Sequence, residues 1–470
     1  MADPDTANDE TAQTTQRSGL VRRVFEEVGL ASLYSAPTDT KLLVLQRYVR
    51  LFAYGASTLV LVAYLSELGN SERRIGSFMT LTLVGDVCIS FVLTSFADRW
   101  GRKAILLAGA LLMVASGLIF AVSGDFYVLL AAAIFGVISP SGNEIGPFQA
   151  IEQSTLAHLT HSEARSDIYA WYALAGNAGT ASGMLAGGWA VQRARSAGWG
   201  AIPAYRLIFY TYAGIGFVKF ILACTLSGKI ETEAETQEAV ETNPETAPLL
   251  SGQVQSHTPP PKPSRWKRLL PQISKESRRT AVQLCALFAL DSFASGLASL
   301  SWVTFFFKSK FHIGEGKLGT LFSVAAIVSA ASVLVASSIS KRLGNVKTMV
   351  FTHLPSAIAL ALIPVPNVPA LAMTFLLLRA CTQSMDVAPR SAFLAEILLP
   401  KERTAVMGLI NVVKTSSQSV GPLVTGTLAG QKLFWVAFVM AGSLKATYDI
   451  GFLLVFAGKR GDRTRRGSSE

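Results

Sequence analysis

The sequence predicts an all-α membrane protein with twelve membrane-spanning helices arranged as two related six-helix bundles. Half of its 470 residues are hydrophobic and 16% are charged, whereas about a quarter of the residues in a soluble protein are charged. Twelve apolar stretches are each about twenty residues long, which is the length that crosses a bilayer as a helix. They divide into six and six around a polar middle segment, and short sequences recur at matching positions of the two halves.

The spans follow from the apolar stretches in chain order. The first bundle occupies 42–228, with spans near 43–67, 76–97, 104–123, 126–149, 167–192 and 204–228. The second bundle occupies 279–457, with spans near 280–307, 318–340, 347–366, 369–395, 404–430 and 433–457. An even number of spans leaves both termini and the middle segment on one side. Arg and Lys are concentrated in the loops of that side, which predicts that it is cytoplasmic.

Three segments lie outside the bundles. Residues 1–41 form a polar N-terminal segment, and 458–470 form a basic tail. The middle segment, 229–278, is acidic at first and proline-rich later, so we expect a flexible cytoplasmic linker. The net charge of +11 is gathered in short loops and in the tail. This distribution favours anionic lipid headgroups, rather than nucleic acid, as the partner of these charges.

Recurring residues indicate that the two halves arose by duplication. Arg165 and Arg403 open the fifth and eleventh spans, and a glycine, Gly183 or Gly421, follows each arginine eighteen residues later. A second set of matches joins the fourth span to the tenth: Glu144 with Asp386, and Pro147 with Pro389. Two related halves built from apolar spans are typical of secondary transporters.

The loop between the second and third spans carries the clearest motif. Residues 94–103, TSFADRWGRK, resemble the inner-loop motif of the major facilitator superfamily, Gly-x-x-x-Asp-Arg-x-Gly-Arg-Arg/Lys, with Thr94 at the first glycine. A degenerate copy between the eighth and ninth spans keeps Arg342 and Gly344 but has Lys341 in place of the acid. The resemblance implies the superfamily's fold. It also implies that the motif latches the cytoplasmic ends of the two halves in the outward-facing state, through Asp98, Arg99, Gly101, Arg102 and Lys103.

Glycines at helical spacing in the fifth span resemble the antiporter motif of the same superfamily. They are Gly179, Gly183, Gly187 and Gly188, and such spacing allows helices to approach closely. Met184 stands where that motif has proline, and a proline occurs instead at Pro422, beside Gly421 in the eleventh span. The resemblance is to drug–proton antiporters and implies export.

Ionisable residues within the spans are the candidate site, because charges inside a membrane are rare and usually functional. In the tenth span Arg379, Gln383, Asp386 and Arg390 recur at steps of four, three and four, which predicts one polar stripe. In the superfamily that the motifs resemble, the first, fourth, seventh and tenth helices line the central cavity, which implies a substrate and proton pathway that contains Tyr54, Glu144, Asp291, Arg379 and Asp386. We add Asp86 and Lys414 to this predicted pathway because they lie midway along the second and eleventh spans.

Other ionisable residues are predicted to be structural. Lys445 and Asp449 are four residues apart in the twelfth span and are expected to neutralise each other. Arg47 and Arg50 stand at the inner end of the first span, where we expect their side chains to reach towards water. The five histidines lie in loops or near span ends, and the four cysteines fall within spans as free thiols. The sequence therefore predicts no metal site.

The expected function is secondary transport of a small solute by alternating access, as proton-coupled export of a drug or metabolite. Proton-coupled uptake of a polar or charged solute is the alternative, and a non-transporting membrane sensor is a more remote one. An intramembrane protease is disfavoured because Tyr448-Asp449, Gly85-Asp86 and Pro369-Ala370-Leu371 occur in the wrong order. We expect no enzyme activity, no cofactor beyond a proton gradient, and a monomer.

A short segment of the middle linker bears on location. Glu245, Leu249 and Leu250 fit an acidic dileucine signal of the form Glu-x-x-x-Leu-Leu, which a sorting adaptor reads. We expect the plasma membrane as the location, with a vacuolar or lysosomal membrane as the alternative if this signal is read.

Overall fold

The computed structural model describes residues 30–136, 138, 147–161, 163–231, 274–399 and 402–456. Throughout these residues the regular structure is helical, which confirms the predicted all-α class. Six described stretches are long and apolar enough to cross a membrane: Thr38–Glu67, Arg102–Val122, Ala201–Cys224, Ser277–Phe311, Glu315–Val333 and Phe434–Phe456.

The helices of the first half are α1 (Leu30–Ser35), α2 (Thr38–Glu67), α3 (Glu72–Trp100), α4 (Arg102–Val122), α5 (Phe126–Gly136), α6 (Pro147–Leu159), α7 (Arg165–Ser196) and α8 (Ala201–Cys224). Those of the second half are α9 (Lys275–Leu297), α10 (Leu300–Phe311), α11 (Glu315–Leu343), α12 (Asn345–Leu362), α13 (Pro369–Thr382), α14 (Val387–Ile397), α15 (Arg403–Gly430) and α16 (Phe434–Phe456).

Two single-glycine turns mark equivalent places in the two halves. Gly101 joins α3 to α4 and Gly344 joins α11 to α12, and both residues have φ +81°. This left-handed region is readily accessible to glycine and disfavoured for other residues, so each turn reverses the chain with one residue. We call the end of the molecule with these turns the inner end, since its loops are the ones predicted to be cytoplasmic. The opposite end is the outer end.

The seventh and tenth spans are not the continuous helices that the apolar patterns predict, and the fourth ends later than predicted. In the seventh, α9 ends at Leu297 and α10 begins at Leu300. In the tenth, a turn over 383–386 separates α13 from α14, and Pro389, which lacks an N–H, cannot continue the helical bonding across it. In the fourth, α6 begins at Pro147 and continues to Leu159, ten residues past the predicted end.

The hydrophobic core is single at the outer end and forked at the inner end. One large cluster joins both halves at the outer end; Leu59 and Met184 of the first half and Trp302 and Phe322 of the second are among its members. Towards the inner end the core separates into two smaller clusters, each confined to one half. One contains Leu43, Ile105, Ile151, Tyr172 and Leu226. The other contains Leu284, Met349, Phe393, Ile410 and Phe452. The hydrophobic cores of the two halves are therefore continuous at the outer end and separate at the inner end.

Candidate functional site

Two helix crossings close the outer end, and in both of them glycine lets two backbones touch. Where α3 meets α15, a Cβ on Gly76 would lie 2.6 Å from the carbonyl oxygen of Pro422, and Gly426 faces Gly76 directly. Where α7 meets α11, a Cβ on Gly188 would overlap the carbonyl oxygen of Glu315, with Gly319 beside it. Each crossing joins one half to the other.

Polar contacts beside these crossings also bridge the halves. The Tyr205 hydroxyl of α8 donates to Oε1 of Glu315 at 2.7 Å, and Nζ of Lys308 lies 2.9 Å from the same oxygen. The ammonium of Lys308 stands 4.8 Å above the ring of Tyr205 and also bonds its hydroxyl. This group, called the outer latch below, consists of Tyr205, Lys308 and Glu315. Tyr205 is fully buried and Glu315 is 8% exposed, so opening the outer end must expose or separate them.

At the inner end, by contrast, the contacts among the described side chains stay within one half. Lys103 donates through Nζ to the carbonyl oxygens of Cys224, at 3.1 Å, and Leu226, at 2.5 Å. Arg102 donates to the carbonyl oxygen of Ile230 at 3.4 Å. These two residues of the inner-loop motif therefore bond the end of α8 and the residues that follow it, in their own half. Asp98 and Arg99 lie in α3, and their side chains are outside the described part of the chain.

The second half has its own inner contact. The Ser274 backbone N–H donates to Oε1 of Glu402 at 3.0 Å, and Ser274 caps α9 by accepting from the N–H of Ser277. Hydrogen bonds from Ser277 and Ser274 hold the pKa of the Glu402 carboxyl below its usual range. This contact ties the start of α9 to the loop before α15.

The first half contains a buried ionic network around one carboxylate, which we call the Glu152 network. Glu152 of α6 is fully buried, and its Oε2 lies 2.6 Å from the guanidinium of Arg50 on α2. The hydroxyl of Tyr172 on α7 donates to the same oxygen at 2.5 Å, and Nζ of Lys219 on α8 lies 3.7 Å from Oε1. Arg47 stacks 4.5 Å from the Tyr172 ring. Four helices are thus joined about 10 Å from the start of α7.

The second half distributes its buried charge over three acid–base pairs. Oδ1 of Asp291 on α9 lies 2.6 Å from Nζ of Lys445 on α16. Asp386 and Arg390 are 3.1 Å apart at the start of α14, and the same Arg390 nitrogen is 3.9 Å from Asp291. The third pair joins Asp449 of α16 to His353 of α12 at 3.0 Å.

A ring of the second half also faces two of its cations. The Phe288 ring on α9 lies 5.9 Å from the guanidinium of Arg390 and 5.7 Å from Nζ of Lys414. Lys414 of α15 interacts electrostatically with Asp291 and Asp386. We call the three pairs together with Lys414 the second-half network.

The structure brings some of the predicted pathway residues together and leaves others apart. Asp291, Asp386 and Lys414 belong to the second-half network. In the first half, Tyr54 and Asp86 are buried and act electrostatically on the hydroxyl of Tyr212. Glu144 lies outside the described residues.

Arg379 stands apart from both networks. It is half-buried on α13, and within the described chain no ion pair or hydrogen bond to its guanidinium is found. Further along the predicted stripe, Gln383 donates to the Ser329 hydroxyl of α11 at 3.4 Å.

The predicted packing glycines lie at helix contacts. A Cβ on Gly179 or Gly183 would overlap the backbone of α2, at the carbonyl oxygens of Tyr48 and Phe52, and one on Gly187 would lie 2.9 Å from Cβ of Ala56. Gly421 meets Gly296 of α9 in the equivalent contact of the second half. Gly188 and Pro422 instead belong to the two outer crossings.

Three expectations about ionisable residues were wrong: the pairing of Lys445 with Asp449, the exposure of Arg47 and Arg50, and the position of His353. Lys445 and Asp449 do not pair with each other, because helix packing brings Asp291 to Lys445 and His353 to Asp449. Arg50 does not reach towards water, since Glu152 holds it inside the bundle at 7% exposure. Arg47 is likewise buried, over Tyr172. His353 lies in the interior of α12 and is buried, rather than at a span end.

Sequence reasoning also missed Glu152 and Lys219. Glu152 falls beyond the predicted end of the fourth span, so it was not considered a membrane residue. Lys219 was detectable, because it interrupts the apolar run AGIGFVKFILAC within a predicted span. In the described chain, no group of three or more His, Cys, Asp or Glu side chains is arranged to hold a metal ion.

A family profile assigns this chain to a superfamily. The profile described as Major Facilitator Superfamily matches residues 48–287 and 284–470. The chain belongs to this superfamily. It is therefore an integral, multi-pass membrane protein of a family of transporters.

Individual proteins agree with this assignment. The chain is 38% identical over 435 residues, 90% of this chain and 95% of the relative, to "Uncharacterized membrane protein YJR124C" of Saccharomyces cerevisiae. It is 24% identical over 167 residues, 36% of this chain and 39% of the relative, to the quinolone resistance protein NorA of Staphylococcus aureus.

Solved structures share the fold. The nucleoside transporter NupG aligns with a TM-score of 0.67 at 14% identity, over 90% of this chain and all of that one. A D-xylose–proton symporter aligns with a TM-score of 0.65 at 13% identity, over 88% of this chain and 96% of that one.

Proposed function

We propose that this protein is a secondary active transporter that moves a small solute by alternating access and exports it in exchange for protons. The observation that carries the proposal is the forked core. The halves are sealed at the outer end by two glycine crossings, while each half has a separate core at the inner end. Such a geometry is that of a transporter open towards the cytoplasm, and rocking the halves about the middle would reverse it.

Buried ion pairs support proton coupling. Charged side chains inside a membrane-spanning bundle are costly and commonly serve substrate or proton movement. Asp386 and Asp291 share Arg390, at 3.1 and 3.9 Å, so a shift in one pair alters the other. In the proposed cycle this network, with Arg379, Lys414, Tyr54, Asp86 and Glu144, forms the substrate and proton pathway.

The direction of transport is supported by two observations. The glycines of α7 pack against α2 in the way that the antiporter motif predicts, and NorA, a partial relative, is named for quinolone resistance. The alternative is proton-coupled uptake of a polar solute, which the fold of the D-xylose–proton symporter also serves. An assay of direction decides between them.

The test uses the full-length protein in liposomes with an imposed pH gradient. A panel of a quinolone, a nucleoside and xylose is offered at equal concentration on both sides of the membrane before the pH gradient is imposed. Export by antiport predicts that at least one solute accumulates in the more acidic compartment, and a protonophore should abolish the accumulation. Accumulation in the more alkaline compartment would instead establish symport.

Two controls complete this experiment. Liposomes without protein report passive leak. Counterflow of the same solute at equal pH on both sides reports transport that does not need a proton gradient. A protein that moves no member of the panel under either condition, yet changes a cellular response when deleted, would favour the sensor alternative.

For location we propose the plasma membrane. A tagged chain in which Leu249 and Leu250 are both replaced by alanine is compared with the unchanged chain by imaging. If the unchanged chain is found in the vacuole or lysosome and the variant moves to the cell surface, the dileucine signal directs location and the alternative holds.

A further inference from the structure

The His353–Asp449 pair differs in chemistry from the other two acid–base pairs of the second half. Nδ1 of His353 lies 3.0 Å from both carboxylate oxygens of Asp449. The two side chains are 5% and 1% exposed, so the pair is held away from lipid and water. The Tyr448 ring meets the imidazole edge-on at 6.0 Å. The pair joins α12 to α16.

Only one of these three pairs can change its charge near neutral pH without first being broken. Lysine and arginine keep their protons far above that range, so Asp291–Lys445 and Asp386–Arg390 are fixed ion pairs. Histidine ordinarily gains and loses its proton between pH 5 and 8. Among the described pairs of this half, the one containing His353 can therefore bind a proton and release it again within one cycle.

The residues around His353 link the binding of a proton there to the rest of the second-half network. Asp449 and Tyr448 of α16 contact His353, and Lys445 lies one turn further along the same helix. Asp291 of α9 interacts with His353 electrostatically. Lys445 is itself bonded to Asp291. On α11, α13 and α14, which also pack against α12, no described charged side chain contacts the imidazole. A positive charge on His353 thus acts electrostatically on Asp291, the carboxylate that Lys445 bonds.

We propose that His353 and Asp449 form the proton-binding site of the transport cycle. This inference rests on the proton coupling of the proposed function and names the group that carries the proton. The imidazole takes one proton from water on the outer side when the halves are open there. It returns the proton to water on the inner side once α12 and α16 part there, since the pair is shielded in the present arrangement, and no bond other than the N–H changes. Asp291, Asp386 and Arg390 transmit the change of charge to the region between the halves.

The first test measures the proton directly. The full-length protein carries five histidines and is labelled at histidine 13Cε1 in lipid nanodiscs. The resonance missing from His353→Gln identifies His353. We expect this resonance to move between pH 5 and 8.5, and its response to pH to differ in Asp449→Asn, since Asp449 bonds the imidazole at Nδ1. A His353 resonance that does not move in this range overturns the proposal.

The control for labelling is His161→Gln, in an exposed inner loop, which should leave the His353 titration unchanged. Removing one member of a buried pair can impair folding, so the double variant His353→Gln/Asp449→Asn is included. Its two amides can keep a neutral hydrogen bond at the same place.

The second test measures coupling to the outer seal. Across the α7–α11 crossing, the indole N–H of Trp189 donates to the Thr320 hydroxyl, with 3.0 Å between nitrogen and oxygen. Both residues are replaced by cysteine in a parent chain whose four native cysteines have been removed. The reactivity of the cysteines themselves varies with pH, because the thiolate is the reacting form, so each yield is divided by that of the double variant at the same pH. We expect this ratio to change about tenfold, or by about 1.4 kcal/mol, across the pH range in the parent and equally with His161→Gln. A ratio that does not change with pH in the parent overturns the link between this site and the cycle.

The two proposals fail in distinguishable ways. If His353 titrates and controls the seal while no solute of the panel moves, the proton site stands and the transport proposal fails for those solutes. If a solute is exported under a pH gradient while His353 does not titrate, export stands and the proton is carried elsewhere.

Discussion

The two halves of the molecule place their buried charges at comparable depth but connect them differently. In the first half, side chains from three helices converge on the single carboxylate of Glu152. In the second half, three carboxylates each have a base of their own, and Arg390 lies between two of them. Tyr172 and Asp449 both lie seven residues, or about 10 Å, from the inner end of their helices.

This difference in connection suits different tasks. A carboxylate that receives two cations and a hydroxyl holds four helices in one arrangement, so the first half is built as a fixed body. Pairs with a shared arginine have alternative partners, and one pair contains a histidine that can change charge. We therefore expect substitutions in the Glu152 network to affect stability, and substitutions in the second-half network to affect transport.

The largest effect is expected for Glu152→Gln. The change leaves the buried cations Arg50 and Lys219 without the carboxylate that they share, and breaking a buried ion pair in this way costs about 3–5 kcal/mol. Unfolding by SDS, followed by intrinsic fluorescence, should show this loss. Glu163→Gln, in an exposed loop, is the control and should be within about 0.5 kcal/mol of the parent. Equal stability of the two variants would contradict the role given to Glu152.

A smaller effect, on the equilibrium between states, is expected for Gly76→Val. The added side chain would meet the backbone of Pro422 and Gly426, so the outer end can no longer close fully. Overpacking of this kind costs about 1–3 kcal/mol, which predicts a loss of roughly tenfold or more in disulfide yield between cysteines at 189 and 320. Gly214→Val, where nothing lies within 4 Å of the new Cβ, should leave the yield unchanged.

Asp386→Asn sharpens the contrast between the halves. Arg390 would lose its nearer partner and turn to Asp291, 3.9 Å away in the parent, which fixes the pair in one arrangement. We expect the protein to fold and insert normally while pH-driven transport in liposomes is lost. Asp125→Asn, at the exposed start of α5, keeps its capping oxygen and should transport normally. Undiminished proton-driven transport by Asp386→Asn would remove this residue from the mechanism.

The smallest effect is expected for Tyr205→Phe in the outer latch. The change removes the hydroxyl that donates to Glu315 and that Lys308 also bonds, but it leaves the ion pair between Glu315 and Lys308 at 2.9 Å. A single hydrogen bond to a charged group contributes about 1.5–3 kcal/mol when buried, but Lys308 remains to satisfy the carboxylate. We therefore expect only a few-fold fall in the disulfide yield across the α7–α11 crossing. Tyr210→Phe, on the exposed side of α8, is the matched control, and an equal fall in both variants would exclude a special role for the latch.

Much of the fold could be read from the sequence because membrane-spanning helices leave a strong local signal. The lengths of the apolar stretches predict the membrane-spanning helices, and the recurring glycines and prolines predict that the two halves are related. The breaks at Ala298 and before Val387 were not visible, because an apolar run looks the same whether or not its backbone is continuous. Pro389 was noted only as a match to Pro147, although its missing N–H also explains where α14 can begin.

The site was less predictable, because partners depend on how helices face one another. Asp291 and Asp386 were identified from their position within apolar runs. Their partners were not, since Lys445 is 154 residues from Asp291 in the chain and spacing along one helix pointed to Asp449 instead. The sequence places His353 near the end of a span, and only its packing against α16 shows that it is buried beside a carboxylate.

The outer seal has a consequence for how such a protein changes its cargo. At both crossings the two main chains approach each other closely, at Gly76 with Pro422 and at Gly188 with Glu315. Side chains that face the space between the halves take no part in these main-chain contacts. We therefore expect that the lining can be redesigned for a new solute while the contacts that close the outer end are kept.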